Sequence, residues 1–567
     1  ADNAAMNQVS KMIQNITLNK VDANSRSYKP ALFLEPMSKW HLYSEYKNGF
    51  NTGGKMQYVW MFGIIGFFVL LLACINFMNL STAHSQKRAK EVGIRKTIGS
   101  LRSQLIRQFF TESFLIVIVA FGLSLLLAQL ALPYFNQLAG KTISIPWSNL
   151  SFWLFNIAFI VFTGLIAGSY PALYMSSFKP VKVLKGTIKA GRLASLPRKA
   201  LIVLQFTASI TLIICTVIVF RQIQFAKNRP IGYDTNGLII ASMFSDNIPD
   251  HFDAVKDELM KKRVIENMAL SEGNVTDVWG TDNDLDWKGK DPILTVDFPN
   301  TGISADYGNT VGWQFKEGRD FSKQFTSDSS AFILNEAAVK FMGLKNPVGQ
   351  IITWKGNPYT VIGVIKDVIM ESPYEPVKPS IFCMARSHDN FAVIKINPKV
   401  NTETALATIG NVFKKYDASQ PFSYKFVDEE YQNKFRNEQH IGSLASCFAI
   451  LAVFISCLGL FGMAMFMAEQ RRKESGIRII LGASALSVWR LLSKDFVVLV
   501  FISLLIAIPV AYYFIHNWLQ NYEYRTAISW WIFAAAGIGA LMITLLTVSY
   551  QAIKAALANP VDSLRSE

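Results

Sequence analysis

The sequence predicts a membrane α-helical protein that also carries an α+β domain outside the cytoplasm. Three observations carry this: seven long apolar segments, an uneven distribution of charge, and a ten-residue stretch that occurs twice. The chain has 567 residues, 51% of them apolar. About 20 apolar residues at 1.5 Å rise cross a hydrocarbon core of about 30 Å. Segments of that length run near 57–80, 107–132, 152–175, 200–220, 441–467, 495–515 and 528–550.

The net charge of +15 is not spread evenly. Residues 222–439 hold 24 Lys and Arg against 29 Asp and Glu, whereas the remainder holds 32 against 12. The excess lies in short loops. Lys87, Arg88, Lys90, Arg95, Lys96 and Arg102 occupy one, and Lys179, Lys182, Lys185, Lys189, Arg192 and Arg198 another. Arg471, Arg472, Lys473, Arg478 and Arg490 occupy a third. The loop at 136–150 has only Lys141, and that at 516–527 only Arg525. Basic loops stay in the cytoplasm. The large 222–439 segment therefore lies outside, the seven spans alternate consistently, and the C-terminus is cytoplasmic. The same distribution removes nucleic acid as a partner, because the basic residues flank spans instead of forming a patch on a soluble domain.

The stretches KEVGIRKTIG (Lys90–Gly99) and KESGIRIILG (Lys473–Gly482) lie 383 residues apart and agree at six of ten positions. The same shift aligns Arg88 with Arg471, Glu91 with Glu474, Gly93 with Gly476, Ile94 with Ile477 and Arg95 with Arg478. It also places Cys74 on Cys457, Arg107 on Arg490 and Glu112 on Asp495. A shift of 380 aligns SYPALYMSSFKPVKVLK (169–185) with SYQAIKAALANPVDSLR (549–565). Two tandem units follow, parallel in the membrane. The second is complete, with one span (199–221), a soluble domain (222–439) and three spans with a tail (440–567). The first has a short soluble part (1–56), then three spans and a cytoplasmic linker (57–198). The expectation is a natural chain of eight spans, with Ala1 a fragment boundary. The opening residues ADNAAMNQVS have neither the basic start nor the apolar run of a signal peptide.

Within 222–439, alternating runs at 292–298, 331–334, 350–354, 359–366, 391–397 and 422–427 predict strands. A hairpin is expected in 350–366 with Gly356–Asn357 at the turn. Helices are expected at 335–343 and 402–416, and one polar helix at 428–440 leads into the fifth span. The first 56 residues are expected to repeat the end of this plan, with a helix near 5–16, an extended run near 30–34 and a polar lead. Cys383 is alone in the exported domain, so no disulfide is expected within it.

The repeated stretch follows a span and stops at glycine, Gly99 or Gly482, where a helix can end in the left-handed region. Ser100 and Ser484 are candidate caps for the next helix. Arg88, Glu91 and Arg95 at i, i+3 and i+7, like Arg471, Glu474 and Arg478, share one face. A solvated helix with weak surface ion pairs explains one such face. Two copies among diverged spans point to a surface that meets a cytoplasmic partner.

The K/R-E-x-G-I-R-x-x-x-G pattern resembles that of the MacB/FtsX/lipoprotein-releasing class of ABC-transporter permeases. FILNEAAVKFMGLKNPVGQIITWKGNPYTVIGVIKDV (332–368) resembles the periplasmic core domain of that class, including the run at Asn346–Ile351. The tails at 179–185 and 559–565 resemble its closing element. The resemblance implies two FtsX-like membrane units with a MacB-like periplasmic core domain, in the bacterial inner membrane. It implies a non-catalytic permease driven by a separate cytoplasmic ATPase dimer that binds the ATP, so no cofactor is expected in this chain. The periplasmic cargo or adaptor is left open. It assigns ATPase docking to Arg88, Lys90, Glu91, Gly93, Ile94, Arg95 and Gly99, and to Arg471, Lys473, Glu474, Gly476, Ile477, Arg478 and Gly482. The spans would act as levers on the exported domains. The alternative is a membrane sensor that signals to a cytoplasmic protein; a secondary transporter is disfavoured because the spans lack charge pairs near mid-membrane.

Glu112 and Asp495 are interfacial acids just inside their spans, read as snorkelling or pairing with a nearby loop arginine. Gly140-Lys141-Thr142 lacks the first glycine of a phosphate loop, since position 135 is Phe135. Asp282, Asp284 and Asp286 have calcium-loop spacing, but Trp287 and Ile293 stand where Gly and Glu belong, so a solvated acidic loop is expected. The six histidines show no zinc spacing, and no catalytic constellation stands out.

Overall fold

The computed structural model describes residues 5–21, 26, 29–47, 50–87, 89–176, 196–292, 294, 296–384, 390–470, 477–478, 481 and 484–556. The chain divides into two compact bodies. One joins 223–437 to the first 40 residues and to 521–526; the other holds the rest, including the long apolar helices.

The first residues form α1 (Met6–Ile13) and a short helix at Ile16–Lys20, then strands β1 (Glu45–Lys47) and β2 (Phe50–Gly53). The expected polar lead thus contains a small hairpin, and residues 30–34 are not in a strand. The helix α2 (Met56–Lys87) is followed by the short α3 (Ala89–Thr97), then α4 (Arg102–Ala139) and α5 (Leu150–Ser176). After residue 195 come α6 (Leu196–Lys227), later α11 (Arg436–Gln470), α12 (Ala485–Leu519) and α13 (Trp530–Ala556). Among the described residues, α2, α4, α5, α6, α11, α12 and α13 are seven helices long and apolar enough to cross a membrane, one for each predicted segment. Glycines let the helices approach. A Cβ at Gly164 of α5 would lie 2.4 Å from the Phe114 ring of α4, and one at Gly462 of α11 would lie 2.0 Å from Leu80 of α2.

Between α6 and α11, the exported body is α+β. Its elements run β3 (Leu238–Ser242), α7 (Phe252–Lys261), β4 (Ile265–Ser271), β5 (Thr281–Asp282), β6 (Leu285–Trp287), β7 (Phe298–Ile303) and β8 (Phe315–Gly318). They continue with β9 (Ala331–Asn335), α8 (Glu336–Met342), β10 (Ile351–Trp354), β11 (Asn357–Ile365), β12 (Ile381–Met384) and β13 (Phe391–Ile396). The last are α9 (Thr402–Tyr416), β14 (Tyr424–Phe426) and α10 (Val427–Asn433). The sheet order is β14-β3-β13-β4-β7-β12-β9-β11-β10-β6, with β5 beside β7 and β8 beside β11. The pairs β11–β9 and β12–β7 are parallel, so the sheet is mixed. One pair, Ser271 with Ile303, joins β4 to β7. It divides the sheet into a lobe under α7 and α9, packed through Val255, Leu259, Ile409 and Phe413, and a lobe under α8, packed through Phe332, Tyr359 and Met342.

Within the exported body, four sequence expectations need correction. The strand expected at 292–298 is β7, which begins at Phe298; 292, 294, 296 and 297 lie outside strands. The hairpin turn is Lys355–Gly356, not Gly356–Asn357, because Trp354 pairs with Asn357. Both turn residues have positive φ, 50° and 78°, which suits a two-residue turn whose twist matches its strands. The helix expected over 428–440 is broken after α10. There Phe435 inserts into the exported body at 0% exposure, and Lys434 reaches Asp277 at 2.8 Å. The aspartates of the expected acidic loop are partly structural: Asp282 and Asp286 lie in β5 and β6, and Asp282 meets Lys355 at 3.2 Å.

Candidate functional site

The first copy of the repeated stretch lies in α3, a helix of nine residues set between two spans. Its end follows from Gly99. With φ at +103° this residue turns the chain back, so that Ser100 N–H donates to Arg95 O at 3.0 Å and Gly99 N–H to Lys96 O at 3.2 Å. These are the two bonds of a Schellman motif, which satisfies carbonyls a helix otherwise leaves open. Ser100 does not cap α4. The cap position is Leu101, whose N–H donates to the Gln104 side chain at 3.0 Å. Ser484 does occupy the cap position of α12, yet its side chain makes no capping bond.

One face of α3 is held against the spans. Val92, 4% exposed, packs with Leu105 and Phe109 of α4 and Ala172 of α5. Lys96 Nζ donates to Ser176 O at 2.7 Å, at the end of α5, and Arg102 Nε donates to Ser176 Oγ at 3.3 Å. Burial, and then the Arg102 charge, lower the Lys96 ammonium from its ordinary range. Arg95 donates to Glu91 at 2.7 Å and to Gln108 of α4 at 2.9 Å, and Gln108 donates on to Glu112 at 3.2 Å. Glu91, Arg95 and the interfacial acid Glu112 are thereby one polar chain running from α3 onto α4. The Glu91–Arg95 pair is exposed at both ends and adds little stability, well under about 1 kcal/mol. What the chain of bonds supplies is orientation: it fixes how α3 leaves the spans.

The other face is open. Ile94 is 49% exposed and Ile98, one turn on, 81%. In the second copy Ile477 is 49% exposed and Leu481 80%, and Leu481 N–H donates to Ile477 O at 3.0 Å. Two apolar side chains one turn apart thus stand out in each copy, at positions that the 383-residue shift superposes. Neither Ile98 nor Leu481 is among the residues that identity between the copies picks out, although position nine of the stretch is apolar in both, Ile in one and Leu in the other.

Of the remaining candidates, Lys90 and Gly93 lie on the backbone of α3, and Arg478 is helical and exposed. Arg88, Arg471, Lys473, Glu474, Gly476 and Gly482 lie outside the described residues, as do both closing tails, 179–185 and 559–565. Asp495 is half-buried near the start of α12. Gly140, φ +60°, ends α4 as a left-handed cap, which accounts for the glycine of the Gly-Lys-Thr run.

Two helical membrane repeats with an α+β domain between them in the sequence are the architecture of a membrane permease. Residues 63–180 and 446–560 match the FtsX-like permease C-terminal family, and residues 200–412 match the MacB-like periplasmic core domain. The chain belongs to the MacB/FtsX-like family of ABC-transporter permeases, multi-pass in the inner membrane with its core domain in the periplasm. Among its relatives is the macrolide export ATP-binding/permease protein MacB of Neisseria gonorrhoeae, 25% identical over 284 residues, which are 47% of this chain and 43% of that one. The protein of the same name from Neisseria meningitidis serogroup A is 26% identical over 194 residues, 32% of this chain and 30% of that one. The chain thus spans less than half the length of these relatives. Two of the similar solved structures are periplasmic or extracellular domains. The periplasmic region of MacB from Actinobacillus actinomycetemcomitans is 19% identical and covers 36% of this chain and 94% of its own, with a TM-score of 0.27. The extracellular domain of the noncanonic ABC-type transporter YknZ from Gram-positive bacteria is 15% identical and covers 33% and 97%, with a TM-score of 0.24. Permeases of this family work with ABC ATPases.

Proposed function

We propose that this chain is the force-transmitting permease of an ABC complex, driven by a separate cytoplasmic ATPase pair that docks on α3 and on the equivalent residues 471–482. The observation that carries this is the twin apolar pair, Ile94 with Ile98 and Ile477 with Leu481, exposed beside matching Arg and Glu residues. Two copies fit the two halves of an ATPase dimer. The anchoring of α3 by Val92, Lys96 and Arg95 supports a lever: a helix tied to both α4 and α5 passes displacement to the spans instead of bending alone. ATP is bound and hydrolysed by the partner. The spans pass the movement to the periplasmic domain, which acts on envelope cargo.

The test is co-purification of the full-length chain with the neighbouring ATPase, with ATP hydrolysis measured. Glu91→Lys together with Glu474→Lys reverses the one acidic charge in each copy of the stretch and is expected to abolish association. Undiminished co-purification of the double variant overturns the docking assignment.

A further inference from the structure

Lys227 closes α6, and Arg229 follows two residues later in the exported body. Its Nη1 donates to Pro373 O at 3.0 Å and to Glu375 O at 2.6 Å. Its guanidinium also lies 4.1 Å from the ring centre of Tyr524. That tyrosine belongs to the loop between the last two spans, after α12 ends at Leu519 and before α13 begins at Trp530. Tyr524 N–H donates to Tyr374 O at 2.9 Å, and its ring stacks on Phe225 at 4.6 Å and 14°. Tyr522, 8% exposed, packs on Tyr374 at 5.1 Å, and Tyr374 in turn meets Phe435 at 5.8 Å. Residues 521–526 are thus part of the exported body, although the chain on both sides of them is spanning helix.

A short outer loop that only linked two spans would be solvated and polar. This one buries an aromatic ring, pairs its backbone with the exported domain, and receives a planar cation on a second ring. A guanidinium is planar and rigid, so it holds the carbonyls and the ring in one fixed geometry. We propose that the Arg229–Tyr524 clasp is the joint through which movement of the last two spans reaches the periplasmic domain. Those spans follow the second docking stretch directly in sequence. Motion entering at Ile477–Leu481 therefore has a route along α12 to the loop and into the 370–376 segment, beside the covalent routes through α6 and α11. Arg229 and Tyr524 are positioning residues in this account, which rests on the lever reading above.

The experiment uses the full chain with its co-purifying ATPase in lipid nanodiscs. The native cysteines are replaced by serine and spin labels placed at Lys141→Cys and Lys399→Cys. The interlabel distance is measured without nucleotide and with ATP trapped by vanadate. The wild-type background is expected to show a nucleotide-dependent shift. Tyr524→Leu is expected to lose at least half of that shift while hydrolysing ATP and retaining the ATPase within twofold. Tyr524→Phe keeps the π-face and is expected to keep the shift, a rescue that side-chain bulk alone does not explain. Should Tyr524→Leu fail to fold, Arg229→Lys keeps the charge but loses the planar fork, and the same loss is expected. A full shift in the folded Leu or Lys variant overturns the clasp while the lever survives. Unmoved labels in the wild-type background overturn both.

Discussion

Truncating Ile98 and Leu481 together to alanine isolates the contribution of the exposed apolar pair from that of the charges. Each substitution removes three carbons, worth about 0.8 kcal/mol each when taken from water into an apolar contact. Scaled to exposures of 81% and 80%, the loss on docking is about 2 kcal/mol per lever. The two side chains lie in separate copies of the stretch, 383 residues apart, so the losses add to about 4 kcal/mol, roughly a thousandfold in Kd. The fold itself should be nearly indifferent, within about 0.5 kcal/mol, because neither side chain is packed. The assay is a titration of the neighbouring ATPase onto nanodisc-held chain by biolayer interferometry, with thermal unfolding of both proteins alongside. Weakening of less than about fivefold, at unchanged melting temperature, would refute the reasoning. It would mean that the partner leaves these side chains in water and reads the helix by charge alone.

Two predictions concern the exported domain. Burial pushes the Asp320 carboxyl up to about 6, opposed by the Phe321 N–H it accepts and reinforced by the Asp306 carboxylate. A folded-state value above the ordinary 3.8 means the fold is favoured while the group is protonated and loses stability as pH rises through that window. At pH 8 the cost is up to about 3 kcal/mol. Asp320→Asn is therefore expected to raise the melting temperature at pH 8 and to give no gain at pH 3.5; an equal gain at both would show that the charge is not the cause. Gly232 has φ +87°, and a Cβ there would lie 2.2 Å from Asp367 O. That segment is also held by Ile369 N–H donating to Ile231 O at 2.9 Å, so the carbonyl has little room to retreat. Gly232→Ala is expected to cost about 3 kcal/mol of unfolding free energy, read from denaturant titration of tryptophan fluorescence, and a loss under about 1 kcal/mol would contradict the geometry.

The membrane helices were legible because a bilayer imposes length and composition on anything that crosses it. All seven apolar segments became helices; all but α13 run beyond both expected ends, α4 and α12 the furthest, and α13 runs beyond its C-terminal end only. Strand β11 was legible for a similar reason, since burial alternates along its first half; β13 was expected too, although it is buried along nearly its whole length. The strands β3 and β4 escaped because LIIAS and most of IENMALS are buried on both faces, and continuous burial erases the alternating signal. Their partner β13 lies between them, which no local pattern reveals. The candidate site divides in the same way. The charged and glycine positions of the stretch stood out by identity between copies, whereas the Ile98 and Leu481 pair changes identity and becomes visible through exposure.

From the residues alone came the span count, the sidedness, the tandem repeat and the helix stop at Gly99. Each depends on local composition, on charge near a span, or on a backbone angle that one residue type tolerates. The tertiary structure decided which face of α3 is held by Val92 and which is left open, where Phe435 breaks the helix entering the fifth span, and that the loop at Tyr524 joins the exported body. These depend on side chains distant in sequence competing for the same volume, and a linear reading contains no term for that competition.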